Sequence, residues 1–470
     1  MKSSNVYKIT ARAALVWAVL AILLAGCGAP SVEPTIKPTE AELPTTPTPY
    51  IARLEVFPGE YLQTIRDVGG GNFIHRYGGT NSPLDPVSRL NIETLSPTMA
   101  RVSIDLDLWE PENDNASSDE LTWDGFKDET GTIVRDTFEF MQAFQKMGDA
   151  QILIGSVWYV PDWMVENPED DNARRIPPEL VPEVIESLVA WILHAQEAYG
   201  VEIDYVSFNE ANLGINVLLN ADDYIPIILQ AGERFTSSGI KTLWLLGDSS
   251  NAKEAKSYAS AIYAEPAIRQ YLGPLAFHSW DATTGDQSLS DIAEFASDNN
   301  LEVWCTEGGW NPSLWQTPDA FPTYANALNQ AVVYTRVLKL SGATSLMYWE
   351  MMGGDYSLNN GTEPYPILSF LAELKKHFPP GSHIIRTSED AQNLKFTAVS
   401  SDEDFTLLMV NRLPIPENAI LQGLPDGNYY LIRSTKDEMN QVVENYTIQG
   451  GTLRLSVAAS SINFLTTRQP

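Results

Sequence analysis

Between about Ile65 and Met351 the chain alternates between two textures. Short runs of β-branched, aromatic and other apolar residues stop at Gly, Asn, Asp or Glu. Longer stretches with helical spacing of apolar positions follow them. The runs predict strands over residues 65–73, 99–104, 151–157, 203–208, 242–247, 275–279, 301–306 and 344–349. The helical spacing predicts helices over 137–147, 178–199, 221–238, 255–271, 291–299 and 323–340. Most of the strands are continuously apolar rather than alternating, as in a parallel sheet covered on both faces. Eight such units point to an α/β fold, a closed (β/α)8 TIM barrel. An open doubly wound sheet is the competing arrangement. Its glycine-rich nucleotide turn has one candidate, Gly69-Gly70-Gly71, which lacks the spacing and the helix that turn needs.

From about Gly381 the texture changes. Alternating strands over 394–399, 405–410, 429–433, 442–448 and 453–457 are separated by turn signals such as Asp426-Gly427 and Gly450-Gly451. They predict a C-terminal antiparallel β-sandwich. A further run at 52–57, ahead of the barrel, could join its sheet. The resulting organisation is a leader over 1–26, a tether over 27–50, a barrel over 51–380 and a sandwich over 381–470. The leader carries Lys2, Lys8 and Arg12, then an apolar run from Ala13 to Leu24 that is too short for a membrane span. Leu24-Ala25-Gly26-Cys27 resembles a bacterial lipobox, which implies cleavage before Cys27 and lipid on its thiol. The Pro-, Thr- and Glu-rich stretch behind it cannot bury enough apolar surface to order itself.

Charge narrows the partners. The chain has 61 acidic against 30 basic residues, a net −31. Such a surface repels nucleic acid and anionic lipid and tolerates a neutral polymer. Membrane contact is expected only through the lipid at Cys27, and the folded part is expected to be a monomer. Two cysteines exclude a disulfide framework. Cys305 reads as a small buried hydrophobe whose side chain shares a face with that of Glu307. His75, His194, His377 and His383 are scattered without metal-ligand spacing, so neither a metal nor another cofactor is expected.

Barrel active sites lie at the C-terminal ends of the strands. Read in order, those ends offer Gly69-Gly70-Gly71-Asn72, where glycine allows a tight turn beneath a ligand, then Trp158 and Trp163, Asn209 and Glu210, Asp248, His278 and Trp280, Glu307 and Trp310, and Trp349 and Glu350, while the second strand starts near Arg101. Tryptophans 109, 158, 163, 280, 310, 315 and 349 fall at or just past strand ends, where rings serve as sugar platforms. Two carboxylates facing each other across a sugar are the minimum apparatus for cutting a glycosidic bond.

Asn209-Glu210 closing the fourth strand and Glu307 closing the seventh resemble the clan A glycoside hydrolases. The resemblance implies that Glu210 is the acid/base and Glu307 the nucleophile. It implies that Arg101 supports the nucleophile, that His278 stands beside it and that Trp349 floors the sugar subsite. Three stretches are most similar to glycoside hydrolase family 30: residues 63–70 (Gln-Thr-Ile-Arg-Asp-Val-Gly-Gly), 158–164 (Trp-Tyr-Val-Pro-Asp-Trp-Met) and 459–464 (Ala-Ser-Ser-Ile-Asn-Phe). Asp67-Val68-Gly69-Gly70 departs from the usual Asp-Gly-Phe-Gly. The resemblance implies a retaining hydrolase of β-linked glycans, with Asn209 on the sugar 2-hydroxyl and Arg101 and His278 favouring ionised Glu307. Trp158, Trp280 and Trp310 would add to the substrate cleft. Two other readings are a catalytically silent surface protein that binds glycans and a serine esterase built on Gly247-Asp248-Ser249. The esterase would need a late Asp-x-x-His, and Asp355 and His377 have the wrong spacing.

Overall fold

The computed structural model describes residues 51–78, 85–148, 151–170, 173–280, 285–391 and 393–470. The leader, Cys27 and the tether lie outside them. No helix of the described residues is long and apolar enough to cross a membrane.

The first strand, β1 (Ile51–Thr64), belongs to the second sheet. The barrel strands are β2 (Asp67–Phe73), β3 (Met99–Asp105), β4 (Ile152–Tyr159), β5 (Tyr205–Phe208), β6 (Leu243–Ser249), β7 (Leu272–Ser279), β8 (Val303–Gly308) and β9 (Ala343–Tyr348). They pair in that order, all parallel, and β9 closes on β2. The eight runs read from the sequence are therefore the eight staves, and the open-sheet alternative is excluded by closure. The helices follow their capping chemistry. Asn220 and Asp223 form a reciprocal box at the start of Ala221–Ser237. Gly200, at φ +68°, ends Val181–Tyr199 in the left-handed conformation. The helix expected over 255–271 is two pieces, Ala252–Tyr263 and a 3-10 turn Pro266–Tyr271, because Pro266 cannot continue the first. Helices Pro86–Leu95 and Pro366–His377 were not foreseen, although each has proline in its first turn.

Inside the barrel, Met99, Ile154, Leu245, Ala276, Trp304 and Met347 pack as one apolar layer. Side chains alternate along a strand. Two residues further on, β3, β4, β7 and β8 therefore present Arg101, Ser156, His278 and Thr306 above that floor. On β6 the step is three, from Leu245 to Asp248, across a register shift at Gly247, whose φ is +97°. A second shift, between Phe277 and His278 against β8, separates Cys305 from Glu307. Cys305 packs in the core outside the barrel, while Glu307 bonds Arg101 within it. The two do not share a face, because a bulge breaks the two-residue alternation on which that expectation rested. Gly69, Gly70 and Gly71 make no turn. They lie within β2, where a Cβ at Gly69 would meet the Lys375 side chain at 2.6 Å and one at Gly71 would strike Met351. Their smallness, not their flexibility, is used.

The second sheet adds β10 (His383–Asp390), β11 (Leu394–Ser400), β12 (Phe405–Asn411), β13 (Glu417–Gln422), β14 (Gly427–Thr435), β15 (Glu438–Ile448), β16 (Thr452–Val457) and β17 (Ser461–Thr466). Its order is β15-β14-β17-β12-β11-β10-β1-β13-β16. Every pair is antiparallel except β1 with β13, which is parallel. β12 is buried along its whole length because both faces are covered. Leu407 and Met409 enter a core enclosed by the sheet itself, and Leu408 and Val410 pack toward the barrel.

Candidate active site

β5 ends at Phe208, and Asn209 keeps the ladder through its N–H to the Val157 carbonyl at 2.9 Å. Glu210 then takes φ +47° and its carbonyl accepts from Leu213 N–H. A non-glycine residue in that region costs about 1–2 kcal/mol, and Asp248, at φ +49°, shares it. These two left-handed residues end neighbouring strands, and Glu210 N–H reaches the Asp248 carbonyl at 3.3 Å.

The site is organised around Arg101, which is fully buried. One terminal nitrogen donates to Asn72 Oδ1 (2.9 Å) and Glu307 Oε1 (2.7 Å). The other donates to Ser156 Oγ (3.0 Å), Asn209 Oδ1 (2.6 Å) and Asp248 Oδ2 (2.9 Å). Asp248 also accepts from Ser207 Oγ at 2.5 Å and Thr306 Oγ1 at 2.6 Å. His278, equally buried, bridges the carboxyls. Its Nδ1 lies 3.0 Å from Glu210 Oε1 and 3.3 Å from Glu307 Oε2, and its Nε2 lies 3.3 Å from Asp248 Oδ1. Trp280 Nε1 donates to Glu307 Oε2 at 3.2 Å. One oxygen of Glu210, one of Glu307 and a nitrogen of His278 all lie within 4.8 Å of each other.

The electrostatics follow from burial and from these pairs. Burial alone would lower the His278 pKa. The charge of Glu307, with Asp248 and Glu210, raises it to about 10, which favours the imidazolium form. In that form both ring nitrogens present N–H groups toward the carboxyls around them. Burial opposes ionisation of Asp248, but Arg101 and His278 outweigh it and hold that carboxyl far below the usual range. For Glu307 the balance falls the other way. Burial pushes its pKa up, His278 and Arg101 pull it back, and Glu210 and Asp248 push it up again. The expectation from sequence counted the two cations and not the burial.

Above this layer opens a cavity of about 1080 Å³. Glu210, Glu307, Trp158, Trp280, Trp310, Trp315, Trp349 and Glu350 all line it. Trp158 stacks on Trp349 with centroids 5.3 Å apart, and Trp280 meets Trp349 edge-on at 6.4 Å. Trp310 is fixed by donating to Asn326 Oδ1 at 2.7 Å. Two tryptophans grouped with these by sequence position are elsewhere. Trp109 is buried against Phe126 and Phe138, and Trp163 donates to the Glu110 carbonyl. Buried donors of the site that lack a protein hydrogen-bond acceptor include Asn209 Nδ2, Trp158 Nε1 and Arg101 Nε. Glu350 is also buried with no protein donor on either oxygen, and burial pushes its pKa well up. Ser249 Oγ is buried and bonds no histidine, so the esterase arrangement is not formed.

Sequence reasoning missed Ser156, Ser207 and Thr306, and saw Asn72 and Asp248 only as strand ends. The two-residue step from the apolar floor would have found Ser156, Ser207 and Thr306. Asn72 donates to the Thr306 and Tyr348 carbonyls and so ties β2 to both β8 and β9.

No protein-family model matches the chain, and no curated protein matches it. Solved structures share its fold. A family 30 endoxylanase from Clostridium papyrosolvens is 16% identical with a TM-score of 0.67, covering 89% of this chain and 100% of that one. A family 30 xylanase C catalytic domain from Talaromyces cellulolyticus is 16% identical with a TM-score of 0.64, over 89% and 100%. A family 39 enzyme from Xanthomonas axonopodis pv. citri is 12% identical with a TM-score of 0.57, over 90% and 99%. The likeness takes in the barrel and the second sheet together.

Proposed function

We propose that the protein is a retaining glycoside hydrolase that cleaves a β-linked glycan by double displacement. The observation that carries this reading is the Glu210–Glu307 pair, with carboxylate oxygens within 4.8 Å of each other at the floor of a tryptophan-lined cavity. Retaining enzymes hold their carboxyls roughly 5–5.5 Å apart, and inverting enzymes leave a wider gap for water. Both oxygens of Glu307 face donors, Arg101 on one side and Trp280 and His278 on the other. A proton on Glu307 would point at one of them. The proton is therefore better placed on Glu210, which sits at the edge of the cavity. Arg101 and His278 carry two positive charges among the three carboxyls Asp248, Glu210 and Glu307. The cluster is neutral when the carboxyl pair holds one proton.

In the first step a Glu307 oxygen bonds the anomeric carbon, the glycosidic C–O bond breaks, and the Glu210 proton goes to the leaving oxygen. In the second, Glu210 takes a proton from water as that water's oxygen displaces Glu307. Asn209 Nδ2, fixed by the bond from Arg101 to its Oδ1, is the donor for the sugar 2-hydroxyl. Trp349, Trp158, Trp280 and Trp310 form the apolar walls. Neighbours in fold are named as xylanases and as an endo-β-1,6-glucanase, which supports a β-linked polysaccharide or oligosaccharide as substrate. The lipobox-like stretch Leu24–Cys27 supports a lipid-anchored, extracytoplasmic bacterial protein.

The test is hydrolysis of a panel of aryl β-glycosides and β-linked polysaccharides. Glu307→Gln and Glu210→Gln should each lower kcat by roughly 10²–10⁴-fold or more on substrates with poor leaving groups. Azide should partly restore Glu307→Ala through a glycosyl azide of inverted configuration. Full activity in either Gln variant would sink the proposal.

A further inference from the structure

Glu350 lines the cavity directly after Trp349 and takes no part in the chemistry assigned to Glu210 and Glu307. It is 2% exposed, and among the described residues no donor reaches either of its oxygens. The other buried acids of the site differ. Asp248 meets Arg101, His278, Ser207 and Thr306, and Glu307 meets Arg101, His278 and Trp280. The charges that act on Glu350 come from Asp355, Glu307 and Asp85, all acidic. A buried carboxyl with neither donor nor cation is destabilising, and nothing in the chain offsets it.

The backbone around it is nonetheless fixed. Met351 N–H donates to the Asn72 carbonyl at 2.9 Å, which ties the chain just past Glu350 to β2. The Met351 carbonyl accepts from the buried Asn91 Nδ2 at 2.8 Å. Tyr348 Oη donates to the Tyr356 carbonyl at 3.0 Å, and Tyr356 Oη donates to the Pro312 carbonyl at 2.6 Å. Both ends of the 349–356 segment are therefore held. Burial and the three acids push the Glu350 pKa well up, so the group keeps its proton. A protonated carboxyl has one donor and an acceptor oxygen, the complement of neighbouring sugar hydroxyls. Glu210, Glu254, Glu307 and Asp355 share the cavity wall with it, and Lys253 is the one basic side chain among the described residues there. A uronate would bring like charge into that wall.

We propose that Glu350 is a specificity-determining residue that exchanges hydrogen bonds with hydroxyls of an uncharged sugar resting against Trp349. The proposal rests on the glycosidase reading and extends it to the class of sugar. Trp280 places that sugar beside the nucleophile, since its ring meets Trp349 edge-on at 6.4 Å and its Nε1 donates to Glu307 at 3.2 Å. The sugar that Glu350 bonds is thus the one that Glu307 attacks. Asn209 takes the 2-hydroxyl, and Glu350 takes hydroxyls elsewhere on the same ring.

The experiment compares the full wild-type chain with Glu350→Leu and Glu350→Gln. The substrates are the aryl β-glycoside that the wild type cleaves fastest and its deoxy analogues at each hydroxyl other than the 2-hydroxyl. Removing the hydroxyl that Glu350 meets should lower wild-type kcat/KM by roughly 10–100-fold. Glu350→Leu should lose a similar factor on the parent glycoside and nothing further on that analogue. Glu350→Gln, which keeps a donor and an acceptor, should retain the dependence on that hydroxyl. The Tm of Glu350→Leu should hold or rise, because an apolar side chain replaces a buried carboxyl that lacks partners. Equal losses on every deoxy analogue in wild type and Glu350→Leu would overturn the proposal. So would faster cleavage of a uronide or an aminodeoxy glycoside than of the neutral sugar. Glu307→Gln separates the two readings. Activity in that variant overturns both, whereas an inactive Glu307→Gln beside a fully active Glu350→Leu overturns this one alone.

Discussion

Asp248 makes no contact with the cavity, yet it neutralises both cations that steer the carboxyl pair. It is fully buried and meets Arg101, His278, Ser207 and Thr306 at once. Removing one partner from a buried ion pair leaves the others uncompensated, at about 3–5 kcal/mol. Asp248→Asn should therefore lower unfolding stability by about that amount, measured by urea denaturation, and should lower activity as Arg101 and His278 shift. His278 gives a pH signature. Its pKa is raised from 6.5 to about 10, so its contribution to stability is complete below about pH 6.5 and fades as pH climbs through about 10. Wild-type urea midpoints should fall across that window more steeply than those of His278→Asn. Equal slopes would count against an imidazolium. At this scale much was legible. Glu210, Glu307, Asn209 and His278 were read from strand ends and Arg101 from near the start of its strand, and the structure brings all five into one network. Asp248 and Asn72 were not read as part of it, because their partners come from distant strands and leave no local pattern.

Strands were more legible than their irregularities. Most barrel strands are continuous apolar runs, so their existence follows from composition. The register shifts near Gly247 and Thr306 do not, because a bulge is decided by what lies across the ladder. They are what aim Asp248 and Glu307 into the barrel. In the second sheet, β10, β13 and β17 escaped notice: β13 (Glu417–Gln422) is short, and its parallel neighbour β1 is far away in sequence. β1 itself carries a clean alternation, with Ala52, Leu54 and Val56 buried and Ile51, Arg53 and Glu55 exposed. It runs directly toward β2, and Gln63 Nε2 donates to the Leu338 carbonyl at 2.6 Å and the Ala343 carbonyl at 3.2 Å. Leu54→Asp would place a charge in the core of the second sheet, at about 3 kcal/mol or more. Because the strand is continuous with the barrel, calorimetry should show one transition moved to lower temperature. A split in which the barrel melts unchanged would contradict that coupling.

At the scale of the molecule, barrel and sheet form one compact unit with a common core. Ile384, Val399, Leu408, Val410, Ile432, Ile462 and Phe464 of the sheet pack with the helices around the barrel. Tyr324 Oη donates to the Ser434 carbonyl, Arg468 donates to the Lys376 carbonyl, and His377 stacks on Phe464. The sequence marked the change of texture near Gly381 but carried no sign that the sheet's second face would be shared, since either face of an alternating strand can look apolar.

The place of β1 in the middle of the sheet sets a timetable for biosynthesis. β1 leaves the ribosome before any barrel strand, but its partners β10 and β13 are among the last segments made; Glu60 and Arg386, paired across the β1–β10 ladder, are 326 residues apart. Through most of translation an apolar strand waits with both edges unpaired, and such edges invite pairing with other chains. Nascent chains stalled before β13 should therefore be the species that chaperones hold, and completion of the C-terminal strands is the event that releases them.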